Sequence, residues 1–334
     1  MSASAEPAGS AGPAGSAESA DSASWPGPIG RPPRARWWSV QPPPAASRIS
    51  VRRAYGEVLA VFAAFFAAGI IAGGETLARR YPAPSGSWAV YVPASVTEIS
   101  MAGLAVAVTV LLSSRRGITP RSLGFGLPRT AKGGVAGGSA FRMGVWAIVA
   151  LVAGGLITGV LATGKLGQPA HQDYGYLLYA TSASLAAGVV EESVVLAFVV
   201  TTLRQANRPL PEILIVAVLL RCSYHDYYGP GVAGIAVWAV VFTWLFLRSG
   251  SIVPLIVVHF LWDATIFWSQ RWHWLVGGRL IGALLLLAAA TFTWLAEVSK
   301  RNSRPPHARQ AAPYTAWPYD QPGRQDGHQD QLHR

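Results

Sequence analysis

Cysteine is nearly missing. The single residue, Cys222, excludes an intramolecular disulfide and a cysteine-based metal cluster. Beside a histidine in an apolar run, it reads as a small buried hydrophobe. Charge is scarce too, at 13% of residues, against about 25% in soluble domains. Half of the chain (51%) is hydrophobic and mean hydropathy is +0.32, so a soluble globular fold is excluded and a polytopic membrane protein follows. Lysine is rare while Ala, Gly, Pro and Arg abound, which points toward a GC-rich bacterial genome. The net charge of +11 raises nucleic acid as a partner. Its placement argues otherwise: the basic residues sit in tails and short loops beside apolar runs, where topology and anionic lipid account for them.

The first 50 residues or so are Ala/Ser/Gly/Pro-rich and then Pro/Arg-rich ("RPPRARWWSVQPPP"). Such a segment buries too little apolar surface to offset its ordering entropy. It also lacks the apolar stretch of a signal peptide. The chain after residue 300 reads the same way. Disordered cytoplasmic tails are therefore expected at 1–53 and 300–334, and His307, His328 and His333 show no ligand spacing.

Between the tails lie about eight apolar runs, near 57–74, 93–113, 143–163, 177–202, 211–228, 232–248, 252–269 and 276–297, each of membrane-spanning length. The expected fold is an all-α bundle of about eight transmembrane helices. Arg48, Arg52 and Arg53 precede the first run, six basic residues from Arg115 to Arg142 fill the second connection, and Arg204, Arg208, Arg248, Lys300, Arg301 and Arg304 follow later runs. If all runs cross, these clusters share one side, which places both termini in the cytoplasm of a multi-pass bacterial cell-membrane protein. Trp88, Tyr91, Trp268, Trp272 and Trp274 collect on the other side, as an interfacial belt does; Arg79 and Arg80 are the exception.

Five ionisable residues stay deep in the runs: Glu191 and Glu192 in the fourth, His225 late in the fifth, and His259 and Asp263 in the seventh. A carboxylate costs about 2.5–3.5 kcal/mol at the bilayer centre, so two adjacent glutamates in "LAAGVVEESVVLAFVV" need a reason. Taken singly, such residues are usually helix–helix contacts or satisfied core groups. At 1.5 Å per residue, Glu191 lies about 20 Å from the outer end of its helix, His225 about 20 Å from the inner end, and His259 about 10 Å in. They meet near one depth on three helices, and His259 and Asp263 share a face at i, i+4. Carboxylates and imidazoles are the groups that activate water, stabilise an oxyanion or hold a divalent metal. Glu98 lies near an outer interface. Asp226 either orients His225 or faces water at the Gly229–Pro230 break, and His171, Asp173 and His273 fall in outer loops.

The stretches "EESVVL" (191–196), "RCSYH" (221–225) and "HFLWD" (259–263) are carried on successive apolar runs. In that order they resemble the Glu-Glu-x-x-x-Arg, Phe-x-x-x-His and His-x-x-x-Asn/Asp motifs of the CPBP intramembrane proteases, also called the CAAX protease and bacteriocin-processing or Abi family. "VPLIVVHFLWD" and "LLRCSYHDYYGPG" look like the form in actinobacterial members. The resemblance covers residues 177–270 as a catalytic core, with 54–176 as N-terminal spans and 271–299 as a last span. It departs from the family twice. Leu196 stands where the first motif has Arg, and Arg221 where the second has Phe, so Arg221 is expected to supply the cation from the facing helix.

The resemblance implies a metalloendopeptidase acting on a membrane-embedded or membrane-associated protein or peptide. Glu191 would activate water with help from His225, His259 and Asp263 would polarise the scissile carbonyl, and Glu192 would orient its neighbour or pair with Arg221. The family is filed as metal-dependent; a divalent metal, zinc above all, would be held by Glu191, His225 and His259, two imidazoles and a carboxylate leaving one position open. A catalytically inactive member of the same fold, acting in immunity or as a scaffold, is the alternative. A proton-coupled transporter is a third reading, against which stands the lack of an inverted repeat of Gly/Pro-broken segments. Neither His-Glu-x-x-His nor Gly-x-Gly-Asp occurs.

Overall fold

The computed structural model describes residues 48–79, 88–127, 137–162 and 173–272, with isolated helical positions between 278 and 299. The expected tails up to residue 47 and beyond 299, most of the last apolar run, and His171 and His273 lie outside the described residues. Among the described residues there is no strand, and helix follows helix along the chain.

In chain order these are α1 (Val51–Arg79), α2 (Trp88–Ser114), α3 (Gly137–Leu161), α4 (Tyr174–Gln205), α5 (Leu210–Ser223), α6 (Val232–Ser249) and α7 (Val253–Arg271). Helices α1 to α4, and α6 with the turn before it, are long and apolar enough to cross a membrane. In α7 the apolar part is Val253–Ser269. Their outward surfaces carry apolar side chains, such as Ile71, Leu104, Leu156 and Val160, while Arg221, Glu192 and His259 are buried. That inversion suits lipid outside and a polar site within, and the protein is a multi-pass membrane protein.

The fifth apolar run departs from expectation. It was expected to be one helix over 211–228, yet α5 stops at Ser223. At 14 residues, α5 is about 21 Å long, short of the roughly 30 Å of a bilayer core. Tyr224 and His225 then adopt the bridge region (φ −95°, ψ 4°; φ −108°, ψ 16°), followed by a tight 3₁₀ turn over Asp226–Gly231. Gly229 takes φ 56°, ψ −131° in front of Pro230; glycine tolerates that conformation, and Pro has no N–H with which to continue a helix. His225 therefore sits on a turn inside the bundle rather than on a helix face.

Helix α4 is the centre of the bundle. It opens at Asp173, whose Oδ1 accepts from the Tyr176 N–H at 2.7 Å. Every residue from Glu191 to Leu203 is buried, packed by α1, α2, α5 and α6. An all-round apolar helix is a core helix, which is how "SVVLAFVV" reads in three dimensions. The stretch Glu192–Val200 is π-helical, its N–H groups reaching five residues back.

Small residues set the other crossings. A Cβ on Gly154 of α3 would stand 2.5 Å from the Gly234 carbonyl oxygen of α6, so these backbones touch. A Cβ on Gly188 of α4 would stand 3.1 Å from the Ile256 oxygen of α7 and 3.3 Å from the Phe260 nitrogen. This close approach lies one turn before Glu192 and beside His259. Just before α7, the Ile252 N–H donates to the Gly124 carbonyl at 3.0 Å and Ser251 Oγ to Gly126 at 2.6 Å, tying the α2–α3 connection to the α6–α7 turn.

Candidate active site

Glu191 and Glu192 stand where α4 changes from α to π geometry. Adjacent helical residues point about 100° apart, so the two carboxylates address different neighbours. Glu192, fully buried, accepts a bidentate pair from Arg221 of α5: Nη1 to Oε1 at 2.9 Å and Nη2 to Oε2 at 2.8 Å. The same Oε1 lies 2.9 Å from His259 Nδ1 of α7. One carboxylate thus joins three helices. Arg221, 1% exposed, has its guanidinium 4.4 Å from the Trp238 ring centre on α6, which adds a cation–π contact to the ion pair. Leu196 is wholly buried on α4, and the cation beside Glu192 comes from α5.

Glu191 is used differently. Its Oε2 accepts from Tyr224 Oη at 2.8 Å, and no cation is paired with it among the described residues. His225 Nδ1 lies 2.9 Å from the Arg221 carbonyl oxygen. A carbonyl only accepts, so Nδ1 carries the hydrogen and Nε2 is left as the basic nitrogen. Asp226 does not orient His225; no hydrogen bond joins them, and Asp226 Oδ1 is buried without a hydrogen-bond partner. His259 has a carboxylate at each nitrogen: Glu192 at Nδ1, and Asp263 Oδ2 at 3.4 Å from Nε2. Carboxylates only accept, so this surrounding suits a histidine that donates from both sides. Asp263, one turn on, keeps 27% of its side chain exposed, which makes it the wettest of the group.

Aromatic rings close the site. Trp238 stands edge-on to His259 at 5.3 Å and to His225 at 6.2 Å, and Phe242 meets His259 at 6.3 Å. Tyr228 stacks parallel to His225 at 6.1 Å, and Tyr224 stacks on Phe66 of α1 at 4.2 Å. The sequence gives little sign of Tyr224, Trp238 or Phe66 as site residues. Aromatics in apolar runs look like core, and only the fold shows which of them touch an ionisable group.

The structure therefore brings Glu191, Glu192, Arg221, His225, His259 and Asp263 into one network on α4, α5 and α7 with the turn after α5. It does not assemble Glu191, His225 and His259 as a metal-holding group: among the described residues no three His, Cys, Asp or Glu side chains are so placed. A ligating imidazole needs a nitrogen free for the ion. Both His259 nitrogens face carboxylates, while Glu191 gives an oxygen to Tyr224.

Acids, histidines and an arginine thus converge in the core of a multi-pass helical membrane protein. Residues 173–265 match the family model for type II CAAX prenyl endopeptidase Rce1-like proteins. The matched segment begins at the cap of α4 and ends just after Asp263, so it contains all six residues of the network. No curated protein and no solved structure matches the chain.

Proposed function

We propose that the protein is an intramembrane endopeptidase that hydrolyses a peptide bond of a membrane-embedded or membrane-associated protein or peptide. The observation that carries this reading is the division of labour between neighbouring carboxylates. Glu192 is consumed by Arg221 and His259 as a structural clamp, while Glu191 is in no ion pair among the described residues and keeps one oxygen outside its bond with Tyr224.

In this reading Glu191 takes a proton from water, which attacks the scissile carbonyl, and His225 Nε2 shares in moving that proton toward the leaving amine. His259 donates from Nε2 to the developing oxyanion, trading its long contact with Asp263 for a charge it meets only in the transition state. Asp263 holds the imidazole in place from the wetter side. The clamp at Glu192 fixes His259 from the other nitrogen, much as a buried carboxylate orients a catalytic imidazole. Both termini are assigned to the cytoplasm, with the basic inner rim against anionic lipid.

The test is hydrolysis itself. Detergent-purified protein, with its metal content measured, is incubated with a library of membrane-anchored peptides in H₂¹⁸O, and products are read by mass spectrometry. Incorporation of ¹⁸O at a new carboxyl terminus supports the assignment. Cleavage products lacking the label, or no products with any peptide, favour the catalytically silent member of the fold.

A further inference from the structure

We propose that Tyr224 is a positioning residue for Glu191, held in place by α1, a helix outside the matched domain. This rests on the reading of Glu191 as the base.

Tyr224 follows α5 in bridge-region geometry and immediately precedes His225. Its ring is buried and lies nearly parallel to Phe66 (13° between planes, 4.2 Å between centres), with Phe62 behind at 6.1 Å. Phe62 and Phe66 are themselves in contact at 4.9 Å on one face of α1. A buried tyrosine ring pinned on its flat side has little freedom left, and its hydroxyl still needs a partner. That partner is Glu191 Oε2, at 2.8 Å. A carboxylate that accepts at one oxygen from a fixed donor cannot turn freely, so the other oxygen is presented to water in one orientation. The Tyr224 ring is also tilted against His225, 4.6 Å between centres, so the same ring touches both groups that handle the proton.

The effect of Tyr224 runs through Glu191, and the effect of Phe66 runs through Tyr224. Misplacing a catalytic group by about 1 Å costs on the order of 100-fold in rate, which sets the scale.

Tyr224→Phe keeps the ring, its volume and its stacking on Phe66 and removes only the hydroxyl. On a peptide that the wild type cleaves, kcat should fall about 10–100-fold with KM and thermal stability little changed. Phe66→Ala should lower kcat in the wild-type background and have no further effect on kcat in Tyr224→Phe, although it destabilises both. A purely structural role for Phe66 would lower activity equally in both backgrounds, which overturns the proposal. A second readout does not need turnover. The infrared carboxyl band of Glu191, identified as the one missing in Glu191→Gln, should shift in Tyr224→Phe; a band that stays in place also overturns it. If the wild type cleaves nothing, the peptidase reading fails, and the band alone still decides whether Tyr224 holds Glu191.

Discussion

Removing Arg221 should be the most damaging single change in the membrane core. Its guanidinium supplies two hydrogen bonds to a fully buried carboxylate, at 2.8 and 2.9 Å, and packs on Trp238. Arg221→Ala leaves Glu192 with His259 alone and opens a void under Trp238. Breaking a buried pair this way costs about 3–5 kcal/mol, because the surviving charge keeps its desolvation penalty without its partner. Each lost charge-assisted bond is worth roughly 1.5–3 kcal/mol, which gives the same scale from the other direction. The assay is reversible denaturation in mixed micelles, followed by tryptophan fluorescence. Two partner variants show the cause. Glu192→Gln with Arg221→Met removes both charges and should recover most of the loss. Leu196→Arg with Arg221→Phe returns the cation to α4, four residues from Glu192, and should recover stability and part of the activity. An Arg221→Ala protein within about 1 kcal/mol of wild type would refute the reasoning, since surface ion pairs contribute no more than that. A double neutral variant as unstable as Arg221→Ala would do the same.

Other consequences are more local. Gly188→Ala puts a methyl 3.1 Å from the Ile256 oxygen and must push α7 outward, so it should lengthen the Glu192–His259 contact and cut kcat more than it lowers stability; wild-type activity would show that α7 yields without moving His259. Reporter fusions at residue 125 should give a cytoplasmic signal and those at 170 and 272 an extracytoplasmic one, following the basic residues; a cytoplasmic signal at 170 removes the topology.

What could be read in advance follows from the cost of burying charge. Glu191, Glu192, His259 and Asp263 stand out because lipid tolerates no idle carboxylate, and Arg221 because the same rule demands a partner for it. Their partners were harder to read. Of the two uses expected for Glu192, orienting its neighbour or pairing with Arg221, the structure shows the pair, a choice set by the helical rotation between neighbours that the string "EE" alone does not decide. The end of α5 at Ser223 was hidden, because an apolar run followed by "YHDYYGPG" has the same hydropathy as a helix until Gly229 and Pro230. The π-helical stretch left no mark either, since a run buried on all sides carries no periodic signal to lose. Tyr224 and Phe66 belong to runs 158 positions apart, and only packing makes them one device.

The central claim is that Glu191 is the base, and one ratio tests it most directly. Wild type and Glu191→Gln are purified side by side, matched for folding by their denaturation midpoints, and assayed on the same labelled peptide. General-base catalysis contributes about 10²–10⁴-fold, so the variant should lose at least 100-fold in kcat/KM while keeping its stability. Equal rates in the two proteins would contradict the account and move the chemistry, if any, away from Glu191.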